Sequence, residues 1–390
     1  MKFNWKSLFR KRDNKTVTES QDEFYDIDPI DKTGATYRVI IGQRSNGKTY
    51  AVCNKHIVTE YLKEGRRSAY IRRWEEDIMP KNLSSLFDPH KELIEELSGG
   101  EYNCTYYRAK EFHLAYYDSE QDKITKKDPV AFCVTASINT AEHTKGQDRG
   151  IINTIVFDEF MTRNAYLRDE FVQFTNLLSS LIRNREDCVI YMLANTVNRY
   201  CPYFEEMGLT EVQKQEQGTI DVYEYHNKAL TVAVEYCSSV QATKKVGSKF
   251  FAFENPHLQM ITTGQWEFDL YPRPPYKLFP EDTLFKFYVE FGGEMICGEV
   301  INPKDRKNRT DLFIFFHPQT KDITIGDLEV LYTSQFTTSR CHVHFLRDCP
   351  TEAHKLIASL IAKKSMCFSS NECGEVIRNW LLNEQNLKLL

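Results

Sequence analysis

The chain has 390 residues, enough for two domains with separate cores and too many for one small module. Apolar residues make up 41% and aromatics 13%, which excludes a disordered chain. The formal charge of -5 excludes whole-molecule attraction to nucleic acid, so any polyanion has to be held by local patches.

The first residues, 1–15, mix Phe3, Trp5, Leu8 and Phe9 with Lys2, Lys6, Arg10, Lys11, Arg12 and Lys15. They fit a basic amphipathic arm, an organellar presequence or a frayed terminus equally, although the acidic stretch 19–31 does not continue a presequence. A short β-branched run at 37–41 leads into a glycine-bounded loop and then a helical pattern at 50–62. Further strands are expected at 68–72, 130–136, 154–157 and 188–194, with a helix at 171–182. Strands alternating with helices predict an α/β domain with a mainly parallel sheet covered on both faces.

After Asn195 the pattern loosens, and Pro272, Pro274, Pro275 and Pro280 mark a boundary. Beyond it, 284–291, Gly292-Gly293 and 294–301 read as a hairpin, followed by strands at 312–316 and 323–325 and helices at 352–363 and 374–382. The expected division is an extension at 1–34, a P-loop ATPase domain at 35–208, a lid or linker at 209–275 and an α+β domain at 276–390. No repeat is visible.

Eleven cysteines without CxxC spacing read as reduced thiols. Cys341, His342, His344 and Cys349 make the nearest approach to a metal cluster, but the histidines alternate as along a strand and no second cluster completes a site; no structural zinc is expected. No apolar run approaches the roughly 20 residues that span a bilayer, so no membrane partner is expected.

Gly42, Gln43, Arg44, Ser45, Asn46, Gly47, Lys48 and Thr49 fit GxxxxGK[ST], the Walker A pattern, between a strand and a helix. Glycines let amides converge on phosphate oxygens, the helix N-terminus adds positive potential, Lys48 reaches the β and γ phosphates and Thr49 ligates Mg²⁺. The bland alternative is a glycine turn before Lys-Thr. The apolar run 154–157 then delivers Asp158, suited to the metal, and Glu159, suited to polarising water, as a Walker B pair. Arg183 and Arg185 end an amphipathic helix, where they either favour the helix dipole or act as an arginine finger on a neighbouring subunit. Asn195 ends a strand and either senses the γ-phosphate or caps a turn. Neither NKxD nor DxxG is present, which disfavours a guanine-nucleotide switch.

The runs IIGQRSNGKTYAV, YIRRW at 70–74, TIVFDEF at 154–160, and RNRE followed by LAN resemble, in order and spacing, the DNA encapsidation proteins. These are the genome-packaging, terminase-like ATPases of small short-tailed phages with protein-capped linear genomes. The resemblance covers 37–203. It implies an additional-strand (ASCE) ATPase using ATP and Mg²⁺, assembled as a homomeric ring, a pentamer in the family. Such a ring, in the host cytoplasm and transiently on the portal of an empty prohead, drives double-stranded DNA inward; some relatives also use a structural packaging RNA.

By position, Lys48 and Thr49 bind nucleotide and metal, Asp158 binds metal, Glu159 is the catalytic glutamate and Arg183 is the finger in trans. Lys145 falls where the family has a basic residue contacting the adjacent subunit, although its loop-like setting fits an ordinary surface lysine equally. The C-terminal half resembles a vestigial ribonuclease-H-like domain. Glu290 and Glu294 stand there without an aspartate at an expected ligand position, so no nuclease activity is expected. The basic segments 304–309 and Lys363-Lys364 would engage DNA or the portal, or are simply solvated. The alternatives are another P-loop motor, a helicase or loader, and a nucleotide-gated assembly protein that does not hydrolyse.

Overall fold

The computed structural model describes residues 10–17, 25–140, 150–183, 185–198, 200–225, 230–237, 270–302, 312–319, 330–335 and 339–383, with side chains from residue 25 onward. Lys145, the segment 304–309 and the strand expected at 323–325 lie outside them. The chain forms two compact units, Met1–Thr162 with Asp169–Trp266, and Arg163–Arg168 with Glu267–Leu390.

The first unit is built on ten strands: β1 (Arg10–Val17), β2 (Tyr37–Gly42), β3 (Ser68–Arg72), β4 (Cys104–Arg108), β5 (Glu111–Asp118), β6 (Lys123–Ser137), β7 (Thr154–Asp158), β8 (Val189–Asn195), β9 (Thr219–Tyr225) and β10 (Leu230–Tyr236). Their order is β1-β9-β10-β2-β8-β7-β3-β6-β5-β4. The strands from β10 through β6 are mutually parallel, and antiparallel partners flank them. Buried on both faces, the central strands carry unbroken apolar runs, as in Ile40-Ile41 and Ile155-Val156-Phe157. The insertion of β8 between β2 and β7 is the additional strand of the ASCE class.

The sheet continues past residue 208. Strands β9 and β10 form an antiparallel hairpin, and β10 lies parallel to β2 with Tyr236 beside Ile41. That part of the expected lid or linker is therefore ATPase sheet: LTVAVEY is buried from Val232 to Tyr236 and pairs along its edges with β2 and β9. The N-terminal extension likewise contributes β1, paired antiparallel with β9. The helix after the phosphate loop runs Lys48–Val52, passes through a π-helical stretch Cys53–Thr59 and ends at Glu60–Glu64 before Gly65, whose positive φ closes it.

The second unit has β11 (Thr283–Phe291), β12 (Glu294–Ile301), β13 (Phe313–Pro318), β14 (Val330–Tyr332), β15 (His342–Val343) and β16 (Met366–Phe368), in the order β15-β14-β11-β12-β13-β16. Strands β11 to β13 form an antiparallel meander turning on Gly292-Gly293, both at positive φ. Strand β14 returns parallel to β11, and β15 parallel to β14. This is the ribonuclease-H-like strand order, with β16 added parallel to β13. Helices Glu352–Ala362 and Asn371–Asn383 follow the expected pattern and bury Ile357, Ile361, Ile377 and Trp380. Among the described residues no helix is long and apolar enough to cross a membrane.

Candidate active site

The parallel strands β2, β7 and β8 end at one edge of the sheet, and there a cleft of ≈ 250 Å³ opens between Ser45–Tyr50, Asp158, Glu159, Ala194 and Asn195. The phosphate loop keeps its shape through Ser45 and Gly47, both at positive φ. Gly42 is required by a close approach: a Cβ there would stand 2.8 Å from Cys237 Cβ.

Lys48 is buried, and burial pulls its ammonium below the usual lysine range. Its Nζ donates to Gln43 O at 2.8 Å and to Asn46 Oδ1 and Asn195 Oδ1, each at 3.1 Å. These are neutral acceptors, and phosphate oxygens would replace them with charge-assisted bonds. A buried donor of the loop, Asn46 Nδ2, has no hydrogen-bond partner among the described residues. Together with the Lys48 ammonium it fits a polyphosphate. Asn195 lies opposite Gly42 in the β2-β8 register, which explains how a residue so distant in sequence reaches the lysine.

The metal side is also assembled. The Thr49 hydroxyl lies 3.3 Å and 3.4 Å from the two Asp158 oxygens, and Tyr70 donates its hydroxyl to Asp158 Oδ2. A hydroxyl beside a carboxylate at a phosphate loop suits hexacoordinate Mg²⁺. Glu159, at φ 57, takes a left-handed conformation that turns its side chain outward, and that side chain is 57% exposed.

Two arginines that sequence reasoning used only as part of a family run hold this pair. Arg72 ends β3, next to β7, and its Nη2 lies 2.6 Å from Glu159 Oε2, with Nη1 3.7 Å from Asp158. Arg73 is buried, pairs through Nε with Glu170 Oε2 at 2.9 Å, and donates to the backbone carbonyls of Glu159 and Phe160. Tyr203 completes the network by donating to Glu170 at 2.8 Å. The available signal was two basic residues following an apolar strand.

Arg183 and Arg185 are not brought to this cleft. Arg185 donates to Ile152 O, just before β7 begins, and pairs with Asp187 at 2.7 Å. Arg183 caps the helix Glu170–Ile182 two residues earlier and is exposed. Both belong to the sheet edge opposite the cleft, about 15–20 Å away for strands of this length. Cys341, His342, His344 and Cys349 do not converge into a ligand set among the described residues.

Fold and site define an additional-strand P-loop NTPase domain accompanied by a ribonuclease-H-like unit. Residues 21–246 match the model of the Podovirus DNA encapsidation protein (Gp16) family, and the chain belongs to that family. It is 26% identical over 173 residues to a DNA packaging protein of Bacillus phage B103, covering 44% of this chain and 47% of the relative. It is 25% identical over 168 residues to a DNA packaging protein of Bacillus phage phi29, covering 42% and 44%. The match thus spans about half the length of these curated relatives. A chain of the bacteriophage Phi-29 viral genome packaging motor assembly superposes with a TM-score of 0.55 at 17% identity, covering 95% of this chain and 100% of that one. A chain of the Phi-28 gp11 DNA packaging motor gives 0.51 at 15%, covering 94% and 99%. At such identities the likeness is one of fold.

Proposed function

We propose that the chain is the ATPase subunit of a motor that drives double-stranded viral DNA into a prohead through its portal, working as a homomeric ring, five-membered by resemblance. The observation that carries this reading is the convergence of Lys48, Thr49, Asp158 and Glu159 on one cleft. Lys48 exchanges Gln43 O, Asn46 and Asn195 for phosphate oxygens. Thr49 and Asp158 would hold Mg²⁺, which supplies charge neutralisation at the phosphates. Glu159, once it leaves Arg72, orients the attacking water; Arg73 keeps the backbone of that turn in place while it does so. Asn195, already bonded to Lys48, senses whether the lysine is engaged.

The position of Arg183 supports action in trans, since the far edge of the sheet cannot serve the subunit's own cleft. In the second unit, Glu290 is met by Thr333 at 2.7 Å and Gln335 at 3.1 Å. Neutral partners beside that carboxylate support a unit that does not cut DNA by two-metal chemistry and instead engages DNA or the portal, for which Lys363 and Lys364 remain candidates. A packaging RNA and action at the portal vertex within the host cell belong to the same reading.

The test is ATP hydrolysis by wild type and Glu159→Gln, each with and without double-stranded DNA. A DNA-stimulated rate that disappears in the variant while nucleotide binding persists is the expected result. An unchanged rate would remove Glu159 from catalysis and most of this mechanism with it.

A further inference from the structure

On the ribonuclease-H-like unit, away from Glu290, strand register brings together three side chains that sequence spacing kept apart. Cys297 and Glu299 alternate along β12 and so share one face, and His317 on β13 stands directly across from Cys297. One ligand atom from each lies within 4.8 Å of the others. We propose that Cys297 Sγ, a Glu299 carboxylate oxygen and His317 Nε2 form a site for a zinc-class divalent cation, with the fourth position left to water.

Tetrahedral coordination at roughly 2.0–2.3 Å places ligand atoms about 3.5 Å apart. His317 Nε2 and Glu299 Oε1 are already 3.4 Å apart. The imidazole orientation is fixed from outside the site: Nδ1 donates to the Pro318 carbonyl at 3.2 Å, which leaves Nε2 facing the Glu299 carboxylate. In the ion-free site a proton on Nε2 meets that carboxylate, and a bound cation would take the proton's place. Glu299 Oε2 is held in turn by the Thr283 hydroxyl at 2.8 Å. Cys297 is buried against Tyr288 and Leu331, a low-dielectric wall that strengthens metal-ligand attraction.

Binding sends the thiol proton and the Nε2 proton to solvent, and thiolate with carboxylate then neutralises the dication. Lys286, half exposed and 2.7 Å from Glu299 Oε1, is the competing cation. The ion would clamp β12 to β13.

The probe is cobalt(II) titrated into chelator-treated full-length protein and read by visible absorption. Wild type should bind one equivalent with a sulfur-to-cobalt charge-transfer band. Cys297→Ser should lose the band, and His317→Gln should weaken binding by at least the roughly 10- to 100-fold that outer-shell changes cost. Lys286→Met should bind several-fold tighter. Cys341→Ser should bind cobalt as wild type does, which separates Cys297 from the other thiols, and the sulfur-to-cobalt band itself separates this site from the all-oxygen metal position of the nucleotide cleft. Circular dichroism checks that each variant is folded. Absence of a thiolate band in wild type would leave an imidazolium in the gap and overturn the proposal, as would a band that survives Cys297→Ser.

Discussion

Arg73→Met removes a guanidinium that is 6% exposed from a Glu170 carboxylate that is wholly buried. Methionine fills much of the volume but offers no donor, so Glu170 loses its ion-pair partner while the Tyr203 hydroxyl still donates to it, and the carbonyls of Glu159 and Phe160 lose a donor. Breaking one partner out of a buried ion pair costs about 3–5 kcal/mol, far more than the pair contributes against an apolar replacement. The expected result is a loss of that size in the urea transition of the nucleotide-binding unit. Because Arg73 also holds the left-handed turn at Glu159, hydrolysis should fall by more than the unfolded fraction explains. The double variant Arg73→Met with Glu170→Leu should recover a large part of the stability but not the hydrolysis, since the turn remains unsupported. A single-variant loss below about 1 kcal/mol would refute the reasoning.

Arg72→Gln should leave stability within about 1 kcal/mol, because its partner Glu159 is more than half exposed. It should raise DNA-independent hydrolysis and lower the ratio of stimulated to basal rate; an unchanged ratio would show that the pair restrains nothing. Mixing Arg183→Ala subunits with Glu159→Gln subunits should restore some ATPase, because some interfaces then combine an intact glutamate with an intact finger. No recovery at any ratio counts against action in trans. Burial lifts Glu235 from 4.5 to about 7, and it accepts from Tyr25 at 2.6 Å. The folded state therefore holds that proton longer than the unfolded state does, so stability from this group is full below pH about 4.5 and is lost as pH rises to about 7. At about 1.4 kcal/mol per pH unit the loss reaches about 3 kcal/mol. Glu235→Gln should flatten this dependence and stabilise the protein at pH 8, measured by urea denaturation across the pH range.

The phosphate loop and the Asp158-Glu159 pair were legible in the sequence for a physical reason. Phosphate binding uses consecutive amides at a helix N-terminus, and strand-end carboxylates follow their own apolar run, so each motif is local. The central strands were legible too, since burial on both faces demands continuous apolar residues. Strands β9 and β10 escaped because nothing local distinguishes a strand that joins this sheet from one in a linker. Neighbours across strands depend on sheet order and register, which no window of sequence contains. Only the adjacency of β3 to β7 puts Arg72 on Glu159, and only the order β2-β8-β7 puts Asn195 on Lys48. Likewise, Cys297 and His317 are 20 positions apart and meet because the β12-β13 pairing sets them opposite each other.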